Sequence, residues 1–234
     1  MIRWLGTMLI VIGSLSIGFG QGFYFGPKGG ATVGFQQWNG LDRQALLAFN
    51  GSFVLESLDP EYRGSLYVQA GFHQRGSAIR VFNFNGFSNG NKFKFNNVSL
   101  EVGAKKRRKG DSKNVPYYFF GLRLEYTVGT NLSEYEDLNA CYPIYPFETF
   151  VNKINYGVSV GGGIELENDN KFITPYIEVV VSPDLSLQYR SDPTPNIINC
   201  FTSQSSTLPE REIRNLSLEI KAGIRFLREV VYED

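Results

Sequence analysis

Beyond residue 20 the chain lacks any apolar run near the ~20 residues that a membrane-spanning helix needs, so nothing in that stretch crosses a bilayer as a helix. It has one histidine, His73, so a Ser-His-acid hydrolase would have only that imidazole to work with. Two cysteines, Cys141 and Cys200, together with one histidine do not assemble the usual four ligands of a zinc site. Neither sign of charge is in excess: 23 Lys and Arg face 23 Asp and Glu. That balance removes the global attraction on which nucleic-acid binding rests. No long helical period appears, and no motif calls for a cofactor.

What is present is glycine and aromatic: 25 Gly, 19 Phe and 13 Tyr in 234 residues, with only 20% charged. That composition favours many short strands joined by Gly-marked turns over a helical or α/β protein. The N-terminus carries Arg3, an apolar stretch from Leu5 to Gly13 and small residues at Gly18 and Gly20. This is the pattern of a secretory signal peptide over residues 1–20, cut before Gln21, and it predicts export. Residues 21–234 are then expected to form a single domain. In an exported chain Cys141 and Cys200 are expected to pair as a disulfide.

Alternation with period two runs through the rest. Phe25, Pro27, Gly29, Ala31, Val33 and Phe35 oppose Gly26, Lys28, Gly30, Thr32, Gly34 and Gln36. Leu47, Phe49, Phe53 and Leu55 oppose Ala48, Asn50, Ser52 and Glu56; Leu66, Val68, Ala70 and Phe72 oppose Gln69, Gly71, His73 and Arg75. A fourth segment sets Val98, Leu100, Val102 and Ala104 against Asn97, Ser99, Glu101 and Gly103. The fifth is the clearest, with Tyr118, Phe120, Leu122, Leu124, Tyr126 and Val128 opposing Phe119, Gly121, Arg123, Glu125 and Thr127. Two more follow over 154–165 and 173–181, carrying Glu165 and Glu178 on their polar faces. In the last, Leu216, Leu218, Ile220, Ala222, Ile224 and Phe226 oppose Ser217, Glu219, Lys221, Gly223 and Arg225.

Eight alternating segments are joined by short connections on the side of the termini and include the long ones on the other side. This predicts an all-β, eight-stranded antiparallel up-and-down transmembrane β-barrel with long outer loops. Period two does not say which face is inside, so a soluble exported lipocalin-like barrel with its apolar face inward is the rival. In the membrane reading Glu56, Glu101, Arg123, Glu125, Glu165, Glu178, Glu219, Lys221 and Arg225 collect in a lumen just wide enough for side chains to fill. They pair there, because an isolated buried charge is expensive. A plugged polar core is expected, with a small-solute channel as the alternative.

The closing Gly223-Ile224-Arg225-Phe226 resembles the C-terminal strand of bacterial outer-membrane barrels, in which an aromatic near the end helps the barrel-assembly machinery recognise the chain. Phe-Gly-Pro-Lys-Gly-Gly at 25–30, Val-Gly-Gly-Gly-Ile-Glu-Leu at 160–166 and Ala-Gly-Ile-Arg-Phe at 222–226 resemble the small PorT-like outer-membrane barrel family. The resemblance implies residence in the outer membrane of a Gram-negative-type cell, contact with outer-membrane lipid, and for some members a link to type IX protein secretion. It brings no catalytic residues, cofactor or metal. A non-enzymatic structural or partner-binding role in the envelope is expected.

Other features have plainer readings beside their functional ones. His73 lies on a polar strand face and reads as a hydrogen-bonding lumen residue. Gly161-Gly162-Gly163 lies within a strand and lacks the Lys-Ser/Thr and helix of a phosphate loop, so it reads as close strand packing. The basic run from Lys105 to Lys109 is expected at the end of the fourth strand, facing anionic headgroups or a periplasmic partner, or simply solvated. Tyr135, Tyr142, Tyr145 and Phe147, set by Pro143 and Pro146, form the candidate partner-binding loop; the alternative is that they pack on one another.

Overall fold

The computed structural model describes residues 22–38, 43–57, 64–79, 90–108, 114–139, 143, 145–166, 172–198, 200 and 203–229. The expected signal peptide over residues 1–20 lies outside them.

Seven antiparallel strands follow in order: β1 (Gly22–Gln37), β2 (Arg43–Ser57), β3 (Gly64–Ile79), β4 (Asn91–Arg107), β5 (Val115–Thr130), β6 (Ile154–Glu165) and β7 (Ile173–Pro183). Short strands β8 (Tyr189–Ser191), β9 (Thr194–Ile198) and β10 (Ser205–Leu208) precede the long β11 (Arg211–Glu229). Each of β1 to β6 pairs with its successor, β7 pairs with β11, and β11 pairs with β1 from Gly22↔Glu229 to Gln37↔Arg214. The sheet therefore closes into an eight-stranded up-and-down barrel, which leaves no edge open.

The side-chain rows fall as the alternation predicts, and burial decides which face is inside. On β5, Tyr118, Phe120, Leu122, Leu124, Tyr126 and Val128 are all exposed, while Tyr117, Phe119, Arg123, Glu125 and Thr127 are buried. Leu47 and Leu66 on the outer face are 73% and 69% exposed. The apolar face is thus outside on every strand of the ring, which rules out the lipocalin-like alternative. Outward apolar residues on β5 run over positions 118–128, matching the ~9–11 residues of a tilted transmembrane strand.

Two of the long connections carry structure of their own. The long connection after β5 is not strand: it forms a 3-10 helix at Leu132–Asn139 and another at Glu148–Phe150. The long connection between β7 and β11 contains the β9–β10 hairpin, and β8 pairs with the start of β11. β8 lies in the lane left by β7: β11 pairs with β7 from Leu216 to Phe226 and with β8 from Arg211 to Ile213. Between them residues 184–188 leave regular strand geometry, and the bridge Gly157↔Asp184 and the bond from Leu185 N–H to the Tyr156 carbonyl (2.9 Å) keep the wall joined to β6.

One glycine is required by a close approach. Gly76 on β3 has φ 156°, and a Cβ there would lie 1.9 Å from the Phe93 carbonyl oxygen of β4. β3 shifts register against β2 between Ala45 and Asn50, and beyond that point it turns Ile79 into an apolar cap at the loop end of the barrel.

Candidate functional site: the filled lumen

The interior is built from alternate residues of eight strands, and its chemistry changes along the axis. At the loop end Trp38, Phe93, Phe95, Leu132, Tyr189 and Ile213 form a buried apolar cluster, joined by Ile79, Tyr145 and Val151. The Trp38 indole N–H donates to Gln36 Oε1 (3.0 Å), and Gln36 donates to Asn215 Oδ1 (2.8 Å). Asn215 in turn donates to Asp184 Oδ2 (2.8 Å) and Gln188 Oε1 (3.1 Å). This amide layer joins the cap to the charges below it.

The first charge cluster centres on Glu125, which lies 3.1 Å from His73 Nδ1, 3.1 Å from Arg75 Nε and 2.9 Å from Arg123 Nε. Arg75 and Arg123 both reach Asp184, Arg75 at 3.3 Å. Glu219 lies 3.1 Å from His73 Nε2 and against Lys221, and Lys28 pairs with Glu178. Toward the termini a second cluster joins Glu56 and Glu165 to Lys105, Arg107 and Arg225. Lys105 Nζ is 2.7 Å from Glu56 Oε2, Arg107 Nε is 3.0 Å from Glu165 Oε2, and Arg225 donates through Nη2 to Glu165 Oε2 at 2.6 Å.

Tyr67, Tyr117, Phe119, Tyr176 and Val180 lie between the clusters. Tyr67 O–H donates to Glu101 (2.6 Å), Tyr117 O–H donates to Glu178 (3.2 Å), and Lys105 Nζ sits 4.4 Å from the Tyr117 ring centroid. The rings lie over inward glycines of neighbouring strands. A Cβ at Gly161 would be 2.6 Å from Phe119 Cζ, at Gly163 2.5 Å from the Tyr117 hydroxyl, and at Gly223 2.5 Å from Tyr176 Cζ. The Gly161–Gly163 run is accounted for by this packing.

All nine expected lumen charges are buried, none more than 9% exposed, and the two clusters bring most of them into ion pairs. Glu101 instead accepts from Tyr67 and from Ser159 Oγ (2.8 Å). Sequence reasoning missed Lys105, Arg107 and Asp184. Lys105 and Arg107 do not face headgroups or solvent; they continue the inward row Asn97, Ser99, Glu101, Gly103 of β4. The same alternation carried two steps further would have found them. Asp184 likewise continues the inward row Tyr176, Glu178, Val180, Ser182 of β7, but it follows Pro183 in a stretch that reads as a turn, which hid it.

With Lys28, Arg75, Lys105, Arg107, Arg123, Lys221 and Arg225 set against Glu56, Glu101, Glu125, Glu165, Glu178, Asp184 and Glu219, the described lumen holds equal numbers of cations and carboxylates. The remaining space in its middle is a polar cavity of about 20 Å³, lined by Gln69, His73, Glu101, Arg123, Glu219 and Lys221 among others. That is room for about one water. His73 has Glu125 at one nitrogen and Thr32 Oγ1 at 3.5 Å from the other, an order that superficially suggests a hydrolase. Nε2 is closer to Glu219, and Thr32 is fully buried, so no substrate reaches the hydroxyl.

The candidate loop aromatics divide. Tyr145 is buried in the cap, Tyr135 packs against it with ring centroids 5.7 Å apart, and Phe147 is half-buried. Tyr145 is therefore not part of an exposed surface: its ring completes the apolar cluster that the strand ends leave open. Tyr142 and Cys141 lie outside the described residues. Cys200 is exposed in the connection between β9 and β10, and no described cysteine is free. Phe226 faces outward at the barrel seam, its ring 5.6 Å from that of its register partner Phe25.

The backbone is similar to that of the outer membrane protein OprG from Pseudomonas aeruginosa, with a TM-score of 0.55 at 9% identity, covering 89% of this chain and 97% of that one. The fold is that of the small outer-membrane barrels. Neisserial surface protein A is also similar, at 12% identity over 87% of this chain and 96% of that one, with a TM-score of 0.49. No protein-family model matches the sequence, and no curated protein matches it significantly. The comparisons do not support the PorT-like assignment; in its three short motifs Gly161, Gly163 and Gly223 make room for lumen rings.

Proposed function

We propose that this chain is an integral outer-membrane barrel with a closed lumen, a non-enzymatic structural or partner-binding component of the envelope. The observation that carries it is the inverted partition of the wall: paired charge inside, a continuous apolar surface outside. Soluble monomers rarely expose contiguous apolar patches above a few hundred Å², and here every strand of the ring adds exposed apolar side chains to one outer surface. The paired lumen supports a plug over a solute channel, since every cation in it has a carboxylate or ring nearby and the free space is water-sized. Planar-bilayer recordings test this: the account expects no steady conductance, whereas well-defined ohmic channels would favour the channel reading.

Partner binding is assigned to the loop side, where the β9–β10 hairpin projects with Ile198 exposed. A place in type IX secretion rests on the PorT-like motifs alone and is proposed no further than membership of the envelope. The Cys141–Cys200 disulfide is proposed with it, tying the β5–β6 connection to that hairpin. Non-reducing peptide mapping should recover both cysteines in one linked peptide; alkylation of both thiols without reduction would reject the bridge.

A further inference from the structure

The basic run at the end of β4 is divided by the strand itself. Lys105 and Arg107 turn inward to Glu56 and Glu165, which leaves Lys106 and Arg108 exposed. Neither forms an ion pair with a described residue. In register, Lys106 sits between Gly64 of β3 and Tyr118 of β5; one outward step further along the strand, Ala104 sits between Leu66 and Phe120. The small side chain of Ala104 among larger neighbours leaves an open depression of about 890 Å³ on this part of the wall, lined by Leu66, Ala104, Lys106, Tyr118, Phe120 and Val160 among others.

We propose that this depression is a binding site for an anionic glycerophospholipid. An acyl chain lies over Ala104 between Leu66 and Phe120, and the headgroup phosphate is held by Lys106 and Arg108. The inference rests on the membrane reading above and adds an occupant to one place on the wall. Charge complementarity selects that occupant: the floor is hydrocarbon, its end nearest the short turns carries the exposed Lys106 and the Tyr118 ring, and the exposed Arg108 is the next outward residue just beyond that end. A cation near an anionic membrane surface contributes about five-fold in affinity, so two give a preference that a neutral lipid cannot match.

The test uses the full mature protein in neutral detergent, with native mass spectrometry reading retention of phosphatidylglycerol against phosphatidylcholine of the same chain composition. Wild type should retain phosphatidylglycerol in preference, and the Lys106→Ala, Arg108→Ala double variant should lose about five-fold of that preference per cation removed. Ala104→Trp should lower retention of both lipids. Heat-modifiable gel mobility reports whether each variant is folded. A salt titration of the wild type reads the same attraction without any substitution, its preference falling as ionic strength rises. Insertion into phosphatidylcholine vesicles is measured in parallel. Wild type that inserts but retains both lipids equally, or a salt-independent preference, overturns the site and leaves the membrane reading standing. Wild type that does not insert overturns both.

Discussion

Toward the termini the lumen is filled by Glu56, Lys105, Arg107, Glu165 and Arg225, whereas at the loop end it is filled by Trp38, Phe93, Phe95, Tyr189 and Ile213. Both ends exclude solvent, by different physics. The charged end takes every member from regular strands, and each contact depends on register, since a slip of one residue would turn Lys105 and Arg107 to the outer face. The apolar cap takes Trp38, Leu132, Tyr145 and Val151 from positions beyond the ring strands, and burial of their surface is non-directional. The charged end therefore specifies pairing, while the cap closes the barrel over whatever geometry the loops supply.

The comparison is broken most severely by removing one member of the charged end. Glu165→Ala leaves Arg107 and Arg225 without their shared carboxylate, and breaking a buried pair in this way costs about 3–5 kcal/mol. Urea unfolding in lipid vesicles, followed by gel mobility, would read the loss. A tolerated Glu165→Ala would mean that the cluster is hydrated and does not fix register. Next comes the outer face: Ile220→Arg places a charge against hydrocarbon and should cost ~2–4 kcal/mol if near the midplane. An unchanged folding yield in vesicles would count against lipid contact at β11.

The cap should respond more gently. Ile213→Val removes one buried methylene and should cost ~0.5–1.5 kcal/mol, with strand register unaltered in hydrogen-exchange patterns. Smallest of all is Arg190→Ala, which breaks the exposed Arg190–Glu210 pair (3.0 Å) on the loop side and should change stability by no more than about 1 kcal/mol. A large loss there would show that the loop segment is coupled to the ring.

How much of this was legible in the sequence follows from the same contrast. The wall and its charge rows were readable because alternation in a strand is geometric: Arg123, Glu125, Glu219 and Lys221 lie where period two puts them. The inward turn of Lys105 and Arg107 was equally periodic but hidden, because five consecutive basic residues read as a solvated run. The cap was not legible. Tyr145, Leu132 and Val151 come from connections without a period, and their burial is decided by the space the strand ends leave. Asp184 belongs with Lys105 and Arg107, since it extends the inward row Glu178, Val180, Ser182 to reach Arg75 and Arg123 but follows a proline that reads as the strand's end.

The claim on which everything else depends is that the apolar face of the wall meets lipid. Nitroxide labels placed one at a time at positions 216, 218, 220, 222 and 224 of β11, in a cysteine-free background reconstituted in vesicles, test it directly through their collisions with oxygen and with a water-soluble nickel chelate. The account predicts high oxygen access and low nickel access at all five, with the ratio highest near position 220 and falling toward both ends. Uniformly high nickel access along the row, or a protein recovered wholly in the aqueous phase, would contradict it.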